Sequence, residues 1–245
     1  MEFEGSAVYE NKDFYENYMK RRHRDESPNA LIETPALLDL LGSVEGGDIL
    51  DLGCGDATLG TMLLDFGCQS YLGIDGSDNM CERANLKLDG LNGRVVHSSL
   101  QAFHYPKESY DIVVSQLVLH YIENLDDLLN DVFQSIKENG RFVFSVQHPL
   151  LTASFKSMEA GGKRSNWIVD DYFVSGKRVE PWIGEKVVKY HRTIEEYFKK
   201  LQRAGFVIEG IREATPNEEN FADKEEYERR RKIPLFLLFS CVKKA

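Results

Sequence analysis

The chain has few cross-links, few structure breakers and no long apolar run among its 245 residues. Its four cysteines, Cys54, Cys68, Cys81 and Cys241, form no CxxC pair and no paired spacing, so neither a disulfide framework nor a zinc site is indicated. No other metal site is indicated. The longest apolar run, Ile233 to Val242, is too short to span a bilayer, and the N-terminus lacks the apolar stretch of a secretion signal. Positive charge is also scarce: 40 acids against 30 Lys and Arg leave a net charge of -10. That balance repels phosphate backbones and anionic membranes, so neither is an expected partner. The exception is KRRHR, Lys20 to Arg24, which reads either as a nucleic-acid arm or as a solvated helix end. A small-molecule partner and a reducing cytoplasm fit these deficits, with the chain acting as a monomer or homodimer.

What remains is ordinary globular composition, 42% hydrophobic and 29% charged, over a length suited to one α/β domain. Between residues 48 and 146, short apolar runs alternate with helical patterns, the sign of a parallel sheet with crossover helices. The runs are 48–52, 70–75, 93–97, 110–115 and 141–146. Before the last of them, Leu125, Leu128, Leu129, Val132, Phe133 and Ile136 share one helical face, with Gly140 as the stop. Residues 147–192 lose the period. Helix resumes at Thr193, where Thr193 and Glu196 form a capping box and Ile194, Tyr197, Phe198 and Leu201 make a stripe. Strands at 206–212 and 235–244 close the chain, and helices at 8–22 and 28–42 precede the first strand. The expected divisions of this single domain are an N-terminal helical lid (1–45), a core (46–146), a lid insertion (147–192) and a C-terminal helix with strands (193–245).

The most informative stretch is ILDLGCGDATLG, Ile49 to Gly60. Gly53 and Gly55 follow a strand and precede a helical pattern, which permits a sharp turn and close backbone approach to a ligand at the strand's carboxyl end. The next strand ends in Asp75, 20 residues after Gly55, where a carboxylate accepts both hydrogen bonds of a ribose diol. The dinucleotide fingerprint GxGxxG is absent, because Thr58 stands where its third glycine would be. Asp51, ahead of the turn, suits an ammonium group. A nucleoside bearing an amino acid answers this description, as S-adenosylmethionine (SAM) does.

ILDLGCGDATLG, LGIDGSDNM and YDIVVSQLVLHYI together resemble the successive motifs of class I SAM-dependent methyltransferases, of the small-molecule type 11 or UbiE-like group. The tail FSVQHP, YHRT and AGF is similar to a subset of them and bears a distant resemblance to azapteridine (toxoflavin-type) N-methyltransferases. The resemblance implies an α/β, Rossmann-like seven-stranded sheet of order 3-2-1-4-5-7-6, the last strand antiparallel, with helices on both faces. It also implies that Gly53 and Gly55 line the cofactor, that Asp75 binds its ribose, and that Gly76 and Met80 flank its adenine. Ser99 and Leu100 would read the adenine edge, although many relatives place an acid there and HSSLQAF does not. Ser115 and Gln116 would meet the methionyl part. Tyr18 and Arg22, with Asn29, would close over its carboxylate; the alternative for the first two is an ordinary helix surface.

Methyl transfer is an in-line displacement, so the protein must align the partners, exclude water and dispose of a proton where the acceptor carries one. His120, His148 and His191 lie near strand ends and are candidate bases; the alternative is that they satisfy wall and loop backbone groups. Tyr9 and Tyr15 at the N-terminus, with Trp167, Tyr172, Trp182 and Tyr190 in the insertion, suggest either an aromatic lid over a flat acceptor or a minicore under a long loop. The N/D-P-P-Y turn of many base-modifying enzymes is replaced by SQLV, Ser115 to Val118. The expected activity is N- or O-methylation of a small flat metabolite, as in secondary metabolism. Competing readings are an NAD-dependent oxidoreductase, a non-catalytic SAM sensor or scaffold, and an RNA or protein methyltransferase.

Overall fold

The computed structural model describes residues 2–24, 26–158, 164 and 166–244. The chain opens with a short strand, β1 (Glu2–Glu4), a 3-10 turn over Gly5–Glu10 and helix α1 (Lys12–Arg22). The Asn11 side chain accepts from Phe14 N and caps α1, so the helix expected from residue 8 begins only at Lys12. A wide π-type turn over Asn29–Glu33 runs into α2 (Thr34–Leu41). The core then alternates: β2 (Asp48–Leu52), α3 (Thr58–Asp65), β3 (Ser70–Asp75), α4 (Asp78–Leu88), β4 (Gly93–His97), β5 (Tyr110–Gln116), α5 (Leu125–Ser135) and β6 (Ile136–Gln147). After a short α6 (Pro149–Thr152) come β7 (Gly176–Trp182), β8 (Glu185–His191), α7 (Ile194–Arg203), β9 (Val207–Glu213), α8 (Lys224–Arg230) and β10 (Phe236–Val242).

Seven strands form one sheet in the order β4-β3-β2-β5-β6-β10-β9, with β10 antiparallel to both neighbours, as the family resemblance implies. Alternate residues of each strand feed opposite layers. Leu50, Leu52, Phe142, Phe144, Leu237 and Phe239 pack under α5 and α7, through Leu125, Leu129, Val132, Tyr197 and Leu201. Ile49, Tyr71, Val114, Val143 and Leu238 face the other layer, with Leu37 and Leu41 of α2 and Leu59 and Leu63 of α3. Every residue of β10 is buried, which is why it reads as a continuous apolar run. The capping box at Thr193 and Glu196 forms in both directions.

Two expectations change here. Ile136 begins β6 instead of ending α5, and Gly140 lies within that strand, where a Cβ would stand 2.6 Å from Ile136 Cγ2; it is a close-packing glycine, not a helix stop. The stretch 147–192 is not aperiodic, because β7 and β8 form a hairpin around Ile183 and Gly184, both with positive φ (51° and 84°). The β8 strand also pairs in parallel with β1, giving a second sheet of order β1-β8-β7. Val8, Phe14 and Val187 form its small core, with Trp182 edge-on to Phe14 at 5.3 Å and to Tyr18 at 5.6 Å. The N-terminal segment and the hairpin are therefore one structural layer. Residues 159–163 and 165 of the insertion lie outside the described residues. No described helix is long and apolar enough to cross a membrane.

The tightest helix–strand approach is at Gly60 of α3, where a Cβ would lie 2.4 Å from the ring of Tyr71. Gly60→Ala is expected to destabilise the fold by roughly 1–3 kcal/mol, the usual cost of overpacking. A lower urea midpoint at unchanged slope checks this, and an unaltered midpoint contradicts the packing.

Candidate functional site

The order of the main sheet reverses between β2 and β5, and a crevice opens at the carboxyl ends of strands diverging from such a point. Here it is a cavity of about 1100 Å³, roofed by the N-terminal segment and the β7–β8 hairpin. That volume is at the upper end of single-ligand pockets, enough for two molecules side by side.

On one side the glycine turn sets the wall. Gly53 has φ of 74° and Gly55 of 54°, and a Cβ on Gly53 would lie 2.4 Å from Val118 Cγ2. Gly53 N and Cys54 N both donate to Ile74 O, and Gly55 N donates to Asp75 Oδ2 at 2.9 Å. The other Asp75 oxygen accepts from Ser77 N at 2.9 Å. Burial pushes this carboxyl above its ordinary value, and the amides oppose the shift. Ser77 caps α4 and donates its hydroxyl to Glu10 of the roof at 2.7 Å. Asp51 is almost fully buried in the same wall: the Tyr71 hydroxyl donates to one oxygen at 2.7 Å, and the other has no partner among the described residues. Burial pushes its carboxyl up to about 7, against the lowering effect of that hydrogen bond.

Tyr18, Arg22, Asn29, Asp51, Gly53, Gly55, Asp75, Gly76, Met80, Ser99, Leu100 and Gln116 all line this cavity. Arg22 donates to Gln116 Oε1 at 2.9 Å, and the Gln116 amide donates to Thr34 Oγ1 at 2.8 Å and to Glu33, which joins α1, α2 and the end of β5. Ser115 is different: it is fully buried below the floor and donates to Leu52 O at 3.0 Å. Of the basic cluster, Arg21, Arg22 and Arg24 line the cavity and His23 meets Asp56 at 3.2 Å. Sequence reasoning passed over Asp56. Burial pushes its carboxyl up, but Lys87 at 2.6 Å and Thr58 at 2.8 Å outweigh this and bring it down to about 2.

The aromatic candidates divide. Tyr9, Trp182 and Tyr190 line the cavity. Tyr15 instead donates to Asn79 O at 3.3 Å, tying α1 to α4; Trp167 packs against the α2 layer; and the Tyr172 hydroxyl accepts from Ile194 N at 3.4 Å.

Of the three candidate bases, His148 and His191 take the alternative role of satisfying loop groups. Fully buried His148 accepts Leu150 N on Nδ1 and meets Glu213 with Nε2 at 2.9 Å. His191 is as deeply buried, with Nε2 2.8 Å from Tyr172 O and Nδ1 2.8 Å from Thr152 Oγ1. Neither lines the cavity. His120 does, but its Nδ1 accepts Gln147 N at 3.3 Å, so a neutral ring carries its proton on Nε2 and offers a donor there, not a base. Burial, then Lys189 and Arg192, hold this imidazole well below its ordinary value and keep it neutral. Beside it, buried Lys189 ion-pairs with Glu180, donates to Gln147 Oε1 at 2.8 Å and stands over the rings of Tyr121 (5.3 Å) and Trp182 (5.1 Å). These residues had no sequence signal, because their strands were not recognised.

The "Methyltransferase domain" family matches residues 50–144. An S-adenosylmethionine-dependent methyltransferase from Mesorhizobium loti is 35% identical, with a TM-score of 0.79 over 86% of this chain and 97% of its own. The chain belongs to the SAM-dependent methyltransferases. A Listeria monocytogenes structure is 32% identical, with a TM-score of 0.77 over 86% of this chain and 96% of its own. A Haemophilus influenzae protein of uncharacterized function is 31% identical over 84% of this chain and 85% of its own length. SAM is thus the methyltransferase's cofactor, and the cavity fits it. The unpartnered Asp51 oxygen is the acceptor an ammonium needs, and Gly55 has only Met80 Sδ, at 4.0 Å, near its absent side chain.

His148→Ala removes the N-cap of α6 and is expected to lower stability by about 1–3 kcal/mol while leaving affinity for S-adenosylhomocysteine (SAH) unchanged. Burial lowers the folded-state pKa of His148, so its contribution is full above about pH 6.5 and falls as the unfolded chain takes up the proton. The stability gap between wild type and variant should therefore narrow from pH 7 to pH 5 in thermal unfolding.

Proposed function

We propose that this enzyme transfers the SAM methyl group to a nitrogen or oxygen of a small, flat metabolite. The observation that carries the reading is the division of one roofed cavity at the β2–β5 switch point. Glycines and carboxylates wall one half, while Trp182, Tyr190 and the Lys189–Glu180 pair wall the other. SAM, when bound, supplies an electrophilic methyl on a sulfonium.

The chain's own residues then hold and orient. Asp75 accepts both ribose hydroxyls on lone pairs that Gly55 and Ser77 leave free, and Asp51 takes the ammonium on its open oxygen. Arg22, with Tyr18 and Asn29, faces the carboxylate, because its planar fork binds two oxygens at once. Gly76, Met80, Ser99 and Leu100 border the adenine, and Gln116 the methionyl chain. On the acceptor side Trp182 and Tyr190 stack on the flat ring and Tyr9 closes it from the N-terminal segment. His120 donates from Nε2 to position the acceptor. The roof excludes water as a lid, so alignment and desolvation do most of the work. Four buried free thiols, Cys54, Cys68, Cys81 and Cys241, support a cytoplasmic setting.

Three measurements test the assignments. Asp75→Ala should lower SAH affinity more than about a hundredfold, two charge-assisted hydrogen bonds being lost; retained affinity removes the ribose role. An Asp51 carboxyl near 7 must ionise to meet an ammonium, so SAH affinity should fall as pH drops below 7, and Asp51→Asn should flatten that profile. A pH-independent wild type contradicts this. Residues 176–191 should gain protection from hydrogen exchange when SAH binds, and no change counts against the lid.

A further inference from the structure

Another part of the cavity wall comes from the start of β10 and from α8. Arg164, Arg229 and Arg230 line it, with Arg24 at the rim. Arg229 donates from Nε to Glu226 Oε2 at 3.0 Å, and Arg230 approaches the other oxygen of the same carboxylate at 2.6 Å. Two guanidinium groups thus share one carboxylate. The Arg230 side chain is only 10% exposed, and burial, with Arg229 and Arg24 as neighbouring charges, pushes its guanidinium down to about 10. Arg164 has no hydrogen-bond partner among the described residues, and its guanidinium is lowered by burial and then influenced by Glu180 and Arg229. Glu180 is already paired with Lys189, and Glu26 accepts from Asp223 N. Three partly buried arginines, with exposed Arg24 at the rim, therefore gather at one described carboxylate, Glu226, which two of them contact.

A surplus of half-buried positive charge is costly unless an anion offsets it, and it is unexpected in a chain of net charge -10. Arg22 is not part of it, being held at the switch point by Gln116. We propose that the methyl acceptor carries a carboxylate or phosphate group that docks between Arg164 and Arg230, with Arg229 and Arg24 beside it. Leu151, Leu235 and Phe236 line the same region as an apolar floor under the acceptor's body. Anchored there, the opposite end of the acceptor points toward the glycine-turn half, where the methyl group is presented. The inference rests on the methyltransferase reading and adds the chemical class of its substrate.

The test is titration of the full chain, saturated with SAH, with benzoate, phenyl phosphate and the neutral benzamide. The expected result is saturable binding of benzoate or phenyl phosphate but not benzamide, weakened at least about tenfold in Arg164→Gln and in Arg230→Gln. SAH affinity should hold in both variants. Whichever acid binds more tightly distinguishes carboxylate from phosphate. Arg164→Gln breaks no described hydrogen bond, so it keeps the test valid should loss of the Arg230–Glu226 pair unsettle α8. Equal binding of benzamide, no binding of either acid, or acid binding unchanged in both variants overturns the proposal. Loss of SAH affinity in the variants also overturns it, by assigning the arginines to the cofactor. Failure of wild type to bind SAH at all is a separate outcome that removes the methyltransferase reading and this inference with it.

Discussion

The carboxylate of Asp75 is the constraint on which the site depends. One oxygen holds the amide of Gly55, and the other holds the amide of Ser77. Two turns that follow different strands are thereby locked to one side chain, and the glycine turn cannot relax without disturbing the start of α4. Ser77 passes the connection on to Glu10, so the N-terminal segment is fastened to the same point. Burial makes the charged form of this carboxylate costly and the amides offset part of that cost, while its free lone pairs remain able to accept more.

Around that point the cavity is divided by charge. Carboxylates dominate over the ends of β2 and β3, whereas arginines gather beside α8. The pair Lys189 and Glu180 stands between them, with the cation held against Tyr121 and Trp182. In a partly buried space such groups order a zwitterionic molecule and its neighbour more strongly than surface charges would.

Legibility in the sequence followed local physics. The strands at 48–52, 70–75 and 93–97 lie where the runs place them, because a buried parallel strand is a bounded apolar run. Gly53, Gly55 and Asp75 were readable because turn geometry and strand end fix their positions regardless of tertiary context. The hairpin was not readable: Ile183 occupies a left-handed position that normally calls for Asn or Gly, and Pro181 interrupts the strand pattern. With the hairpin unseen, Lys189 and Glu180 had no common address. Helix α8, KEEYERR, has no apolar period, so nothing in the sequence marks its arginines before the fold brings them to the cavity. For the histidines, a place near a strand end reveals neither whether the ring reaches the cavity nor which ring nitrogen is already engaged.

The pairing of β1 with β8 joins segments far apart in the chain, with Glu2 opposite Lys186. Such a contact has a high loop-closure cost and is expected to form late in folding. Until it forms, the glycine turn lies open to water. Docking of the N-terminal segment on the hairpin is the step that turns an exposed row of strand ends into a covered reaction site.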